Sequence, residues 1–291
     1  MKEIAIIGST ASGKTALSLE IANKTNSIIL SLDSLCVYKE IEIASAKPTF
    51  EERGDIIHFG IDEVYPNVEF DVIKFIELYK KAKEYAFKND KNLIIVGGTG
   101  FYLKALIDGL SQGIETKIKL DIPQEDAYDL LYKIDKEYME KIEKNDRYRI
   151  EKAYAIYKQT SLGPTQYFQK NPKIAVAKDL KIFEILWDKE ELKNRILKRT
   201  KIMINSGIID EVIFLEKKYT REPNSMSSIG IIETLEYLDG KLTKQELEEK
   251  ISANTAKLAK RQNTFNKGQF LDKTSNIIEN LNSDIIKYFS L

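Results

Sequence analysis

The sequence predicts an α/β fold, a three-layer arrangement in which a parallel sheet lies between helices and is interrupted by a helical insertion. Short β-rich runs alternate with helical patterns over the first 110 residues, one strand runs directly into a glycine-rich turn and a helix, and the strand signal fades from about residue 111 to 178 before returning at residue 181. Residues 4–7 read as a first strand, 27–32 as a second and 92–96 as a third. Between the last two, Asp71 suits a helix N-cap, and Val72, Phe75, Ile76, Tyr79, Ala82 and Ala86 keep helical spacing with one face for the sheet. In the insertion, Ile150, Ala153, Tyr154 and Tyr157 follow Asn145-Asp146 with the same period. A further strand is expected over 181–187, and Asp188 with Glu191 resembles a capping-box start for the next helix. Thr243 and Glu246 form a similar start for a long helix with Leu247, Ile251, Leu258 and Phe265 along one side. The organisation expected is therefore a core of residues 1–111 and 179–291 around an insertion of residues 112–178.

Composition bounds the chemistry. Among 291 residues, 45 are Lys or Arg and 45 are Asp or Glu, and 43% are hydrophobic, which describes a globular chain and excludes disorder and collagen-like repeats. The apolar runs are far shorter than the ~20 residues of a membrane helix, so no membrane partner is expected. Met1-Lys2-Glu3 leads straight into a strand with no signal-peptide pattern, so the expected location is the cytosol. A single cysteine, Cys36, and a single histidine, His58, exclude Cys/His zinc sites, so any metal must be held by oxygen. A Cys36/His58 nucleophilic pair is conceivable, although such residues more often pack or cap.

The strongest motif is Gly8-Ser9-Thr10-Ala11-Ser12-Gly13-Lys14-Thr15, which satisfies G-x-x-x-x-G-K-[ST] and sits between a predicted strand and a predicted helix. It makes the fold P-loop NTPase-like: backbone wraps a phosphate chain, the helix N-terminus faces it, Lys14 supplies a cation, and Thr15 offers a hydroxyl to Mg²⁺. Asp33 ends the second strand, where α/β sheets bind ligands; it could hold magnesium through water, act as a general base, or cap the next turn. Gly97-Gly98-Thr99-Gly100 follows the third strand and could present the Thr99 hydroxyl to the same crevice. Seven arginines stand against 38 lysines, and Arg147, Arg149, Arg195, Arg199 and Arg261 fall where planar recognition of phosphate is a plausible use. Arg195 and Arg199, four apart, share a helix face. Lys257, Lys260, Arg261, Lys267 and Lys273 surround Phe265 with a single acid, Asp272, which suits nucleic acid as well as a solvated helix with a core aromatic.

Taken in order, these motifs resemble the tRNA dimethylallyltransferase (tRNA isopentenyltransferase, IPP transferase) family of bacterial type, from about Gly8 to Lys267. The resemblance rests on Gly8 to Thr15, Asp33-Ser34-Leu35-Cys36-Val37-Tyr38 with Ala46-Lys47-Pro48, and Val96-Gly97-Gly98-Thr99-Gly100-Phe101-Tyr102. It continues through Asn145-Asp146 with Arg149-Ile150, Arg195 with Arg199, Gly207 with Asp210-Glu211-Val212, Ser225-Met226 with Ile229-Gly230, and Ala259-Lys260-Arg261-Gln262. The chain departs from the family pattern at Cys36, Ala44-Ser45, Tyr148, Lys152 and Phe265-Asn266.

The resemblance implies transfer of a dimethylallyl group from dimethylallyl diphosphate to N6 of adenine 37, beside the tRNA anticodon. The phosphate loop would hold the diphosphate with Mg²⁺ near Thr15, Asp33 would be the general base, and Thr99 and Arg199 would act on the reacting groups. It implies tRNA contacts at Asp33, Ser34, Leu35, Cys36, Thr99, Arg149, Lys152, Arg261 and Gln262. The insertion would clasp the anticodon stem-loop, and a monomer is expected. Competing readings are an adenylate isopentenyltransferase acting on free AMP, an ATP-binding P-loop small-molecule kinase with Arg147 and Arg149 over the nucleotide, and a non-catalytic RNA-binding module switched by a nucleotide.

Overall fold

The computed structural model describes residues 1–111 and 119–290. The chain divides into two compact units, Met1–Lys104 with Ala177–Leu291, and Ala105–Val176. The insertion expected over 112–178 compares with the second of these units, Ala105–Val176, and its residues 112–118 lie outside the described residues.

The first unit is built on strands β1 (Glu3–Ile7), β2 (Ser27–Leu32), β3 (His58–Phe59), β4 (Asn92–Gly97), β5 (Lys181–Ile185) and β6 (Thr274–Asn276). Their order is β3-β2-β4-β1-β5-β6 and every pair is parallel. Parallel strands require crossovers that cover both faces. Accordingly all six residues of β2 are buried. Ile4, Ile6, Ile29, Ile94, Val96, Phe183 and Ile185 form one face and pack against Leu17 and Ile21 of α1 (Lys14–Lys24) and Leu281 and Ile285 of the last helix (Ile278–Ser290). The alternate residues, among them Ala5, Leu30 and Ile95, are equally buried on the face opposite by the two-residue period of a strand.

Between β2 and β4 lie a single turn, α2 (Phe50–Arg53), and α3 (Val72–Lys88). The Asp71 carboxylate caps α3, accepting from the Ile73 and Lys74 amides at 3.0 Å each. The expected apolar face is buried, with Leu78 added to it and Val72 half-exposed. After β4, α4 (Gly100–Asp108) begins with its Tyr102 ring stacked on Phe75 of α3 at 4.9 Å.

The second unit has a small core of its own. Helices α5 (Gln124–Ile134), α6 (Lys136–Met139), α7 (Arg147–Thr160) and α8 (Pro164–Lys170) enclose Ala127, Tyr128, Leu131, Met139, Ile150, Ala153 and Tyr154. Buried Asp135 ties it together, accepting from the Tyr138 amide and from the Thr165 amide and hydroxyl.

Back in the first unit, the strand expected over 181–187 stops at Ile185, and Trp187 lies beyond it. Helix α9 (Lys189–Asn205) follows, capped by Asp188, which accepts from the Glu190 and Glu191 amides; among the described residues Glu191 returns no bond, so the capping box expected there is a single cap. Next come α10 (Ile208–Tyr219), α11 (Ile231–Leu238) and α12 (Lys244–Gln269). Thr243 and Glu246 do form the reciprocal box at the start of α12. The last helix is α13. Val37, Ile41, Met203, Ile208, Val212, Met226, Ile231 and Ile251 make a second core beside the sheet, uniting these helices with the loop after β2. No helix among the described residues is long and apolar enough to cross a membrane.

Replacing Asp71 by alanine removes the cap on α3 and is expected to lower stability by about 1 kcal/mol, with serine at the same position restoring most of it; equilibrium denaturant unfolding of the three proteins checks this.

Candidate active site

Three loops leave the carboxyl ends of adjacent strands: Gly8 to Gly13 after β1, Asp33 to Cys36 after β2, and Gly98-Thr99 after β4. This is the edge at which parallel sheets bind ligands. The loop after β1 turns through left-handed backbone at Ala11 (φ 63°) and Gly13 (φ 85°). At Gly13 a side chain would be crowded as well, since a Cβ would lie 3.2 Å from Ile278 Cδ1 and 3.3 Å from the Arg195 guanidinium. Gly13 also caps α1 without any side-chain bond, so the first amides of that helix face the cleft.

The outward carbonyls of this loop are each held by a side chain. Lys14 Nζ donates to Ser9 O at 2.6 Å, Arg195 Nε to Ala11 O at 2.7 Å, and Trp187 Nε1 to Ser12 O at 2.8 Å. Arg195 also stacks on the Trp187 ring, its guanidinium carbon 4.4 Å from the ring centroid. One turn along α9, Arg199 Nη1 donates to Thr10 Oγ1 at 3.3 Å, so the shared face read from the spacing is directed at this loop.

Gln262 of α12 bridges two loops: its Oε1 accepts from the Thr10 amide at 2.8 Å and its Nε2 donates to Gly98 O at 3.0 Å. The bridge needs glycine at 98, where a Cβ would lie 2.3 Å from Gln262 Nε2. Thr99 ties the third loop to the second, accepting at Oγ1 from the Ser34 amide at 3.2 Å while its own amide donates to Leu32 O at 3.1 Å. Among the described residues its hydroxyl proton has no acceptor, which leaves it for a ligand. Asp33 is half-buried and caps the following turn, Oδ1 accepting from the Leu35 amide at 2.8 Å and the Cys36 amide at 3.4 Å. Among the described residues Oδ2 has no hydrogen-bond partner, so the cap leaves one carboxylate oxygen for chemistry.

Two chambers meet here. The first, about 540 Å³, is lined by Thr10 to Thr15, Asp33, Cys36, Arg195, Lys198 and Arg199. The second, about 500 Å³, is lined by Ser34, Leu35, Thr99, Phe101, Arg261 and Phe265, with the apolar side chains of Met203, Ile229 and Leu258. Thr10, Asp33, Ser45, Gly98, Arg199 and Gln262 line both. Leu258 and Phe265, read along one side of α12, line this cavity together with Asn266, while Ala259 beside Leu258 is buried in a core cluster.

Burial sets the charge on the first chamber. Desolvation lowers the Lys14 ammonium to about 8; the Asp33 carboxylate opposes that shift and the Arg199 guanidinium adds to it. Arg199 is likewise lowered by burial and supported by Asp33. Burial raises the Cys36 thiol well above its ordinary value, and its contact is the Ser45 carbonyl at 4.0 Å. His58 uses Nδ1 on the Ile56 carbonyl at 2.8 Å. A protonated, packed thiol and a tethered ring do not form the conceivable nucleophilic pair.

Among the described residues, no three His, Cys, Asp or Glu side chains are placed to hold a metal ion. The oxygen donors at the loop are the exposed Thr15 hydroxyl and the free Asp33 oxygen. That set is too sparse for a resident metal but fits Mg²⁺, which keeps several waters and takes phosphate oxygens as ligands. In the second unit, Arg149 pairs with Asp146 at 2.6 Å, Arg147 with Glu151 at 2.8 Å, and Lys152 lies over the Tyr148 ring. Sequence reasoning gave Trp187 no role and could not place the Gln262 amide between two loops; the single tryptophan directly after a strand was the only available signal.

A family model described as IPP transferase matches residues 36–269. The tRNA dimethylallyltransferase of Aliarcobacter butzleri is 82% identical over 291 residues, covering 100% of both chains. That of Sulfurimonas denitrificans is 52% identical over 98% of each. Among solved structures, a tRNA delta(2)-isopentenylpyrophosphate transferase from Staphylococcus epidermidis superposes with a TM-score of 0.73 at 29% identity, over 100% of this chain and 99% of that one. A eukaryotic dimethylallyltransferase acting on tRNA gives a TM-score of 0.82 at 27% identity, over 96% of this chain and 74% of that one.

A lysine lowered to about 8 by burial regains its proton when an anion arrives. Binding of a diphosphate ester is therefore expected to take up a proton at about pH 9 and almost none at about pH 6.5, where Lys14 is already charged. Titration calorimetry in buffers of different ionisation enthalpy, with Trp187 fluorescence reporting occupancy, checks both values.

Proposed function

This chain belongs to the IPP transferase family, and from that premise we propose that it moves the dimethylallyl group of dimethylallyl diphosphate to N6 of adenine 37 in tRNA, releasing diphosphate. The single observation that carries the mechanism is the Asp33 carboxylate at the junction of two chambers, one lined by the phosphate loop and the other by Thr99 and aromatic side chains.

The first chamber suits the diphosphate. The loop and the first turn of α1 line it, with Lys14 and Arg199 beside them, so charge developing on the leaving group meets fixed positive charge in a desolvated site. Mg²⁺, bound with the diphosphate near Thr15, would supply further charge neutralisation. The second chamber suits a base turned out of its stack, which must lie against aromatic or apolar walls. There Phe101 and Phe265 offer faces, and Ser34, Leu35, Arg261 and the Thr99 hydroxyl offer polar or shape contacts; Cys36, a buried thiol that lines the first chamber, would contribute shape only.

An exocyclic adenine amine is a weak nucleophile because its lone pair is delocalised into the ring. As the new C–N bond forms and the C–O bond to diphosphate breaks, the nitrogen becomes cationic and must lose one of the two protons it carries, and Asp33 Oδ2, without a partner among the described residues, is the acceptor. Oδ1 meanwhile fixes the carboxylate through the Leu35 amide. Gln262, proposed from the sequence as a tRNA contact, acts in this reading by holding the two loops in register. Arg149 and Lys152 remain proposed contacts to the anticodon stem-loop. The separate core of the second unit supports its reading as a distinct RNA-clasping element. Free AMP as acceptor would leave that unit without a use.

Asp33→Asn keeps an oxygen for the Leu35 amide but loses the base. Transfer of labelled dimethylallyl to unmodified tRNA is expected to fall by about 10²–10⁴-fold while tRNA affinity stays within about threefold; turnover at the original rate would end the assignment of Asp33.

A further inference from the structure

The segment joining β2 to α2 carries two non-glycine residues in left-handed backbone, Glu40 (φ 65°) and Ala46 (φ 46°). Such conformations persist only where the surroundings impose them. Helix α10 braces this segment from both of its ends. At its last turn, Lys218 Nζ donates to both Glu40 carboxylate oxygens at 2.7 and 3.0 Å, and Tyr219 OH to one of them at 2.6 Å. At its first turn, the Glu211 carboxylate gathers three consecutive backbone amides: Oε2 accepts from Glu42 at 2.8 Å and Ile43 at 2.7 Å, and Oε1 from Ala44 at 2.9 Å. Convergent amides of this kind form an anion nest. Here the anion is one of the protein's own side chains.

What the nest supports is the wall of the cleft. Ala44 and Ser45 line the second chamber, and Ser45 and Ala46 line the first, so this loop spans the junction that any group passing between the chambers must cross. Within the loop, Ser45 Oγ donates back to Ile41 O at 2.5 Å, which locks the hydroxyl and leaves the backbone position to be set from outside. Glu211 itself lines neither chamber.

Resting on the prenyl-transfer reading above, we propose that Glu211 is a positioning residue for the transfer step. By fixing the amides of residues 42–44 it sets the wall against which the five-carbon group lies between diphosphate and amine. Loss of that wall costs rate at the transfer step and leaves the diphosphate's own contacts intact, because among the described residues Lys14, Arg199 and the phosphate loop form no hydrogen bond with the 42–44 amides, which go to Glu211.

Glu211→Gln tests this with little change of volume. A carboxamide has one acceptor, so with its oxygen toward Glu42 and Ile43 its NH₂ faces the Ala44 amide, donor against donor. The expected result is a turnover number about tenfold lower at saturating tRNA and dimethylallyl diphosphate. Inorganic pyrophosphate affinity should stay within about twofold, and the thermal midpoint within about 3 °C. Wild-type turnover in this variant, or loss of pyrophosphate binding in step with turnover, overturns the proposal. In Glu211→Ala, acetate should fill the emptied nest and raise turnover at least about threefold over chloride at equal ionic strength; no such rescue also overturns it. If the unaltered enzyme itself fails to prenylate tRNA, the functional reading fails and this inference falls with it; an active enzyme with an equally active Gln variant defeats the inference alone.

Discussion

A loop that turns its amides toward a diphosphate must turn its carbonyls away, and those carbonyls need partners. The cleft depends on how that need is met. Ser9, Ala11 and Ser12 each present a carbonyl to a side chain, from Lys14, Arg195 and Trp187 respectively. The three donors come from the loop's own helix, from α9, and from the turn that links β5 to α9. The phosphate loop is thereby fastened to the helix that also delivers Arg199. Stacking of Arg195 on Trp187 joins two of the clamps into one unit. In the proposed reaction, substrate charge meets a preformed cradle, and little reorganisation is left to the moment of reaction.

The same economy extends to the other two loops. Gln262 spends both ends of its amide linking the phosphate loop to Gly98, and Thr99 passes the restraint to Ser34. Asp33, on the loop so held, is among the described residues the one carboxylate that borders both chambers, in company with Arg199. In the proposed reaction a base and a leaving-group cation serve one substrate, and the Asp33 carboxylate opposes the loss of charge that burial favours on both Lys14 and Arg199. Across the cleft, Glu211 and the far end of α10 hold the remaining wall.

Legibility in the sequence followed distance along the chain. Gly8 to Thr15, the Asp71 cap and the Thr243–Glu246 box are local, and each is formed as read. The all-parallel sheet was legible because buried strands alternate with helical periods. Strands β3 and β6, of two and three residues, were not, since so short a run takes its extended form from the neighbour it pairs with. Gln262 stands 252 residues from Thr10 and Glu211 stands 169 from Glu42, so no spacing rule could connect them. Glu191 shows the opposite limit: a local pattern matched a capping box, and the structure uses only its Asp188 half. Phe265 answered an ambiguity the pattern left open, because the face of α12 that carries it turns from core into cavity.

The central claim is that the two chambers join dimethylallyl diphosphate to a tRNA adenine through Asp33. Mass analysis of nucleosides from unmodified tRNA, after incubation with the protein, dimethylallyl diphosphate and Mg²⁺ in the presence of AMP, tests it most directly. The account predicts N6-isopentenyladenosine at the position beside the anticodon, with AMP unchanged; unaltered tRNA alongside prenylated AMP would contradict it.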